Sequence, residues 1–190
     1  MARDRARAFG RLKYHDPRAV LVELRRIESS MPRVDLPAAV RTLRTNDLKP
    51  IRELREACLF CYGWGQINSQ HVLVAHAEAQ DHDVVAMWSD KETQHFTPIQ
   101  IKEVVPHQLN ASTSVQAVVD GLRAYGDSQD LTVVIHLNRI GSFAPADLVI
   151  PPLKIAAVWV FGAISPDQSR WAIWGNFLGT PQVGEFEYPT

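Results

Sequence analysis

The chain has 190 residues, 46% hydrophobic and 22% charged, with a formal net charge of −1. That length suits one domain with a sizeable core, and the composition excludes wholesale disorder. No apolar run approaches the roughly 18 residues of a membrane span, and the basic start Met1-Ala-Arg-Asp-Arg has no apolar stretch behind it, so a cytoplasmic location is expected.

The near-neutral total hides an asymmetry. Residues 1–56 carry fourteen Lys/Arg against eight Asp/Glu, whereas residues 57–190 carry six against thirteen. If the chain meets nucleic acid, its N-terminal third is the phosphate-facing surface; otherwise these arginines line solvated helices.

In chain order, Asp16-Pro17 reads as an N-cap followed by a proline in the first helical position. Val20, Leu21, Leu24 and Ile27 then recur at helical spacing up to Met31-Pro32. A shorter helix is predicted from Pro37 to about Arg44. A third runs from about Leu48 through Cys61, with Ile51, Leu54, Cys58 and Cys61 as its inward stripe, and Gly63-Trp64-Gly65-Gln66 is expected to end it. Cys58 and Cys61 share a helical face. With no second cysteine pair and no finger spacing among the seven histidines, they read as reduced core thiols.

From His71 the period changes to that of strands. His71–Gln80, Asp83–Ser89 and His95–Val105 form three candidates joined by short polar turns. Pro98 fits only if full pairing begins at Ile99 or a bulge lies there. Ser112-Thr-Ser opens a helix with Val115, Val118, Val119 and Leu122 inward, interrupted by Gly121 and stopped at Gly126. Leu131–Leu137 is apolar enough for a strand buried on both faces. Ile155–Ala163 and Arg170–Phe177 look like a closing hairpin. The expected fold is α/β, a mixed sheet flanked by helices, with residues 1–47 as a helical extension and 48–190 as the main domain.

Candidate chemistry sits on the second and third strands. Asp83 opens one, and Gln100-Ile101-Lys102 lies in the other. Alternate strand positions share a face and sit roughly 6–7 Å apart, so Gln100 and Lys102 point the same way. An acid at the head of an apolar strand, followed by Gln-x-Lys within an α-β-β-β-α-β order, resembles the restriction-endonuclease-like (PD-(D/E)xK) nucleases over about residues 48–140. Their pattern is an acid, a variable gap, then acid-x-Lys. Gln100 departs from it in the manner of the type IV restriction nucleases.

The resemblance implies an endonuclease that hydrolyses DNA to a 5′-phosphate and a 3′-hydroxyl. It implies Asp83, Gln100 and Lys102 as catalytic residues and Mg²⁺, with Mn²⁺ as substitute, held by Asp83, Gln100 and the Ile101 carbonyl. A third acid on the helix before the sheet would complete the metal set. Glu53 is the best match, with Glu56, Glu78 and Asp81 as alternatives. His136 and Asn138 either reach the same cleft or belong to the core. Trp159, Phe161, Trp171 and Trp174 either stack bases or fill the core and a partner surface, and a homodimer through the closing hairpin is expected. The competing reading is a nuclease-like module that binds nucleic acid or protein without cutting. A helix-turn-helix in the N-terminal segment is a third.

Overall fold

The computed structural model describes residues 2–30, 43–77, 79, 81–139, 141 and 143–190. The helix expected from Pro37 falls almost wholly outside them, as does Glu78. The helices are α1 (Ala2–Phe9), α2 (Pro17–Ser30), α3 (Lys49–Asn68) and α4 (Val115–Gly121). The strands are β1 (Val72–His76), β2 (Val84–Asp90), β3 (Thr93–Val104), β4 (Ser128–Leu137), β5 (Ile155–Ala163), β6 (Arg170–Gly175) and β7 (Gln182–Glu187).

The seven strands make one sheet in chain order, β1 through β7. β3–β4 and β4–β5 are parallel and every other pair is antiparallel. The parallel joints follow from the chain: residues 105–127, including α4, separate β3 from β4 and permit a crossover that a two-residue hairpin could not make.

Period-two alternation divides the sheet into two apolar layers. On one face Ala57, Leu59 and Phe60 of α3 pack with Val74, Val84, Ile99, Ile101, Val134 and Phe161, and Leu21 of α2 joins them fully buried. On the other, Val115, Val119 and Leu122 pack with Val104, Val133, Ile135, Val158 and Val160. β4 feeds both layers, which explains its unbroken apolar run.

Pro98 pairs with Val85 of β2, while pairing with β4 begins at Ile99, so the missing proline donor costs nothing on the β4 side. At the outer edge of β1, His15 and Val74 exchange backbone hydrogen bonds of 2.8 and 2.9 Å, covering part of an otherwise open strand.

Three expectations are corrected. α3 continues past Gly63 and Gly65 to Asn68, where Ser69 caps it in the left-handed conformation at φ 52°. These glycines permit close approach instead of ending the helix: a Cβ on Gly63 would lie 2.2 Å from the Phe186 ring, and one on Gly65 2.6 Å from the Gln70 carbonyl oxygen. Gly121 is the last residue of α4, which passes there into a 3-10 turn, Leu122–Ala124, that ends short of Gly126. β7 was not anticipated; it runs along β6, so the β5–β6 hairpin is not the margin of the sheet. No helix among the described residues is long and apolar enough to cross a membrane.

Candidate functional site

Asp83 immediately precedes β2, and its backbone N–H donates to the Ile99 carbonyl at 2.9 Å. Val84, the next residue, is the last of β2 to pair with β3, opposite Ile99. From there Gln100 Nε2 donates to Asp83 Oδ2 at 2.5 Å, and the Ile101 backbone N–H donates to the same oxygen at 2.7 Å. Gln100 Nε2 also lies 3.5 Å from the Ile101 carbonyl oxygen.

An amide nitrogen therefore stands between a carboxylate and a carbonyl, with its partial positive charge toward both oxygens. A half-turn of the Gln100 amide would exchange Nε2 for Oε1 in the same space. The donors at this point are then a carboxylate, an amide carbonyl and a backbone carbonyl, which is the hard oxygen set that suits Mg²⁺.

Lys102 lies two residues further along the same face. Its Nζ sits 5.7 Å from the centre of the Tyr125 ring, within the α4 layer. Asp83, Gln100 and Lys102 thus share one side of the β2–β3 ribbon.

Among the described residues, the expected third acids Glu53, Glu56 and Asp81 have other partners. Glu53 belongs to α3, which packs on the Ile99 and Ile101 side, and it pairs with Lys49 at 3.3 Å. Asp81 is held by Arg5 at 3.0 Å and His82 at 2.7 Å. Burial pushes the Asp81 carboxyl up, but hydrogen bonds from His82 and Arg5 and their charges outweigh it and leave it below the ordinary range. Arg5 also bonds Asp130, and Phe9 packs edge-on against His82. The basic α1 is therefore pinned beside the turn that leads into Asp83.

A second polar group occupies the opposite face. Glu103 and His136 are register partners on β3 and β4, and Glu56 reaches them from α3. One ligand atom from each lies within 4.8 Å of the other two, so the three could hold a metal ion. His136 Nδ1 is 3.0 Å from Glu56 Oε1, and its ring stacks on Phe161 at 4.7 Å. Glu103 accepts hydrogen bonds from both Arg44 terminal nitrogens and from Asn138 Nδ2 at 2.7 Å. Burial raises the Glu103 carboxyl, but the hydrogen bonds from Arg44 and Asn138 and the Arg44 charge bring it below the ordinary range.

His136 and Asn138 consequently serve this second group and do not face Asp83. Trp171 and Phe161 are buried core residues, and Trp159 packs on Phe60 at 6.0 Å, which excludes the two buried rings from stacking with bases. A comparison with protein-family models, curated proteins and solved structures finds no match for the chain.

Proposed function

We propose that the chain is a Mg²⁺-dependent phosphodiesterase acting on DNA through Asp83, Gln100 and Lys102. One observation carries this reading: Gln100 Nε2 donates to Asp83 Oδ2 and lies 3.5 Å from the Ile101 carbonyl, which gathers the residues that would hold a cation. The order α3-β1-β2-β3-α4-β4, with an acid heading the second strand and Gln-x-Lys in the third, supports it. So does α1, whose Arg5 lies beside the turn before Asp83 and which also carries Arg7, positive charge that a phosphate backbone would meet.

Mg²⁺ held by Asp83, the turned Gln100 amide and the Ile101 carbonyl would polarise a phosphate oxygen and acidify a bound water. The residues supply the rest. Asp83 fixes the site through the Ile101 N–H, which locks the carboxylate to β3. Lys102, on the same face, orients the attacking water and offsets negative charge gathering on the phosphate. Its ammonium lies 5.7 Å from the centre of the Tyr125 ring, which limits the directions open to it.

The test is cleavage of supercoiled plasmid and single-stranded DNA with Mg²⁺ or Mn²⁺. Asp83→Ala and Lys102→Ala should each lower the rate by on the order of 10²-fold or more. Wild-type protein that cuts neither substrate with either ion defeats the catalytic claim.

A second reading has its own support. Asp83 Oδ2 already accepts two N–H groups, so the ribbon is satisfied without a cation. A nucleic-acid-binding module that does not cut would keep this arrangement. Salt-dependent DNA binding by uncut complexes, lost on replacing Arg5 and Arg7, would favour it.

A further inference from the structure

We infer that Glu56, Glu103 and His136 form a second metal site, on the face of the sheet opposite Asp83, that takes a zinc-type first-row transition ion. The three ligands come from α3, β3 and β4, so each is set by packed secondary structure and none by a loop. Glu56 is 3% and His136 4% exposed, within a layer otherwise built from Phe60, Val134, Phe161 and Trp171. Burying a carboxylate among aromatic rings is costly unless it is paired or coordinates an ion.

The imidazole is already oriented. Stacking on Phe161, with a 16° angle between the planes, aims Nδ1 at the Glu56 carboxylate. Outer contacts are present too, since Asn138 and Arg44 hold Glu103 in place. One imidazole and two carboxylates suit Zn²⁺ and its neighbours, whereas Mg²⁺ prefers oxygen ligands and retains water. The two faces of β3 therefore present different donor chemistry.

Arg44 sets the strength of the site. Its guanidinium neutralises Glu103 from outside, so an incoming cation must share that carboxylate with it. Removing Arg44 leaves Glu103 with only Asn138 and, at 4.0 Å, Arg52, and strengthens cation binding. A role for Glu103 and Arg44 as a structural clasp alone predicts no such gain.

The experiment uses full-length, chelator-treated protein carrying Asp83→Ala, which separates this site from the proposed nuclease centre. Zn²⁺ is titrated calorimetrically and melting is followed in parallel. One equivalent should bind and raise the melting temperature, while Mg²⁺ at the same concentration should not. His136→Gln or Glu56→Gln should abolish that equivalent, and Arg44→Ala should tighten it by about tenfold. Absence of saturable Zn²⁺ binding overturns the assignment, as does an equivalent that survives both ligand substitutions. If either ligand variant fails to fold by circular dichroism, Arg44→Ala decides: unchanged or weaker affinity rejects the site.

Discussion

Lys102 and Glu103 are consecutive residues that enter opposite layers of the sheet: the Lys102 ammonium lies over Tyr125, and Glu103 is clasped by Arg44 and Asn138. Strand alternation produces this separation. It means that a substitution at one position should leave the chemistry of the other intact, and the effects of paired substitutions should be close to additive.

Gln100→Glu tests the oxygen set around Asp83. The change removes the amide donor 2.5 Å from Asp83 Oδ2 and places a second carboxylate there. Without metal, like charges should destabilise the protein by about 1–2 kcal/mol. Mg²⁺ should restore the loss, because two carboxylates hold a hard cation better than one. Denaturant melts with and without Mg²⁺ measure both effects; a variant indifferent to Mg²⁺ would remove the cation from this ribbon.

The Glu103–Arg44 pair predicts an acid dependence with a definite sign. The folded carboxyl lies below its ordinary value of 4.5. Its contribution is therefore complete above that pH and disappears as pH falls through the lower folded value. In Arg44→Ala, burial is opposed by fewer partners, so acid unfolding should begin at higher pH. Circular dichroism across about pH 2–6 reads the shift. Coincident curves for wild type and variant would contradict it.

Gly63→Ala sets helix propensity against packing. Alanine would gain about 1 kcal/mol inside α3. A methyl group 2.2–2.6 Å from the buried Phe186 ring cannot be accommodated without moving β7, and overpacking of this kind costs about 1–3 kcal/mol. Net destabilisation is expected, with partial rescue by Phe186→Leu. A more stable single variant would show that the helix–β7 contact is slack.

The two thiols should be inert in the folded protein. Burial pushes Cys58 up to about 12, and burial followed by the proximity of Cys58 raises Cys61 well above its ordinary 9.0. An aromatic disulfide reagent at mildly alkaline pH should label neither until denaturant is added, then label both. Because unfolded thiolates form first, stability should fall as pH rises above about 9. Rapid labelling of native protein would argue against the packing of α3.

The middle of the sheet could be read from the chain because β2, β3 and β4 carry strong local signals: alternation around Asp83 and Gln100, and a continuous apolar run from Leu131. The shared face of Gln100 and Lys102 followed from alternation, whereas the contact of Asp83 with Gln100 is seen only in the fold. α3 was cut short because Gly63 looks like a stop until Phe186, far along the chain, is seen to need its space. β7 was hidden by its own inward position Gly184, which has no side chain to reveal periodicity and would collide with Ile67 if it had one. The Glu56–His136 contact spans 80 residues, and Glu103 meets it only through strand register, so no spacing rule could disclose that group.

Strands arranged in chain order also shape how the molecule must assemble. The six joints in the sheet are of two kinds: β1–β2, β2–β3, β5–β6 and β6–β7 close over two to seven residues, whereas β3–β4 and β4–β5 must wait for residues 105–127 and 138–154 to loop back. Loop closure is paid in entropy before long-range contacts form. The two ribbons at either end can thus zip early and independently, and β4 is the late-docking keystone whose arrival unites them.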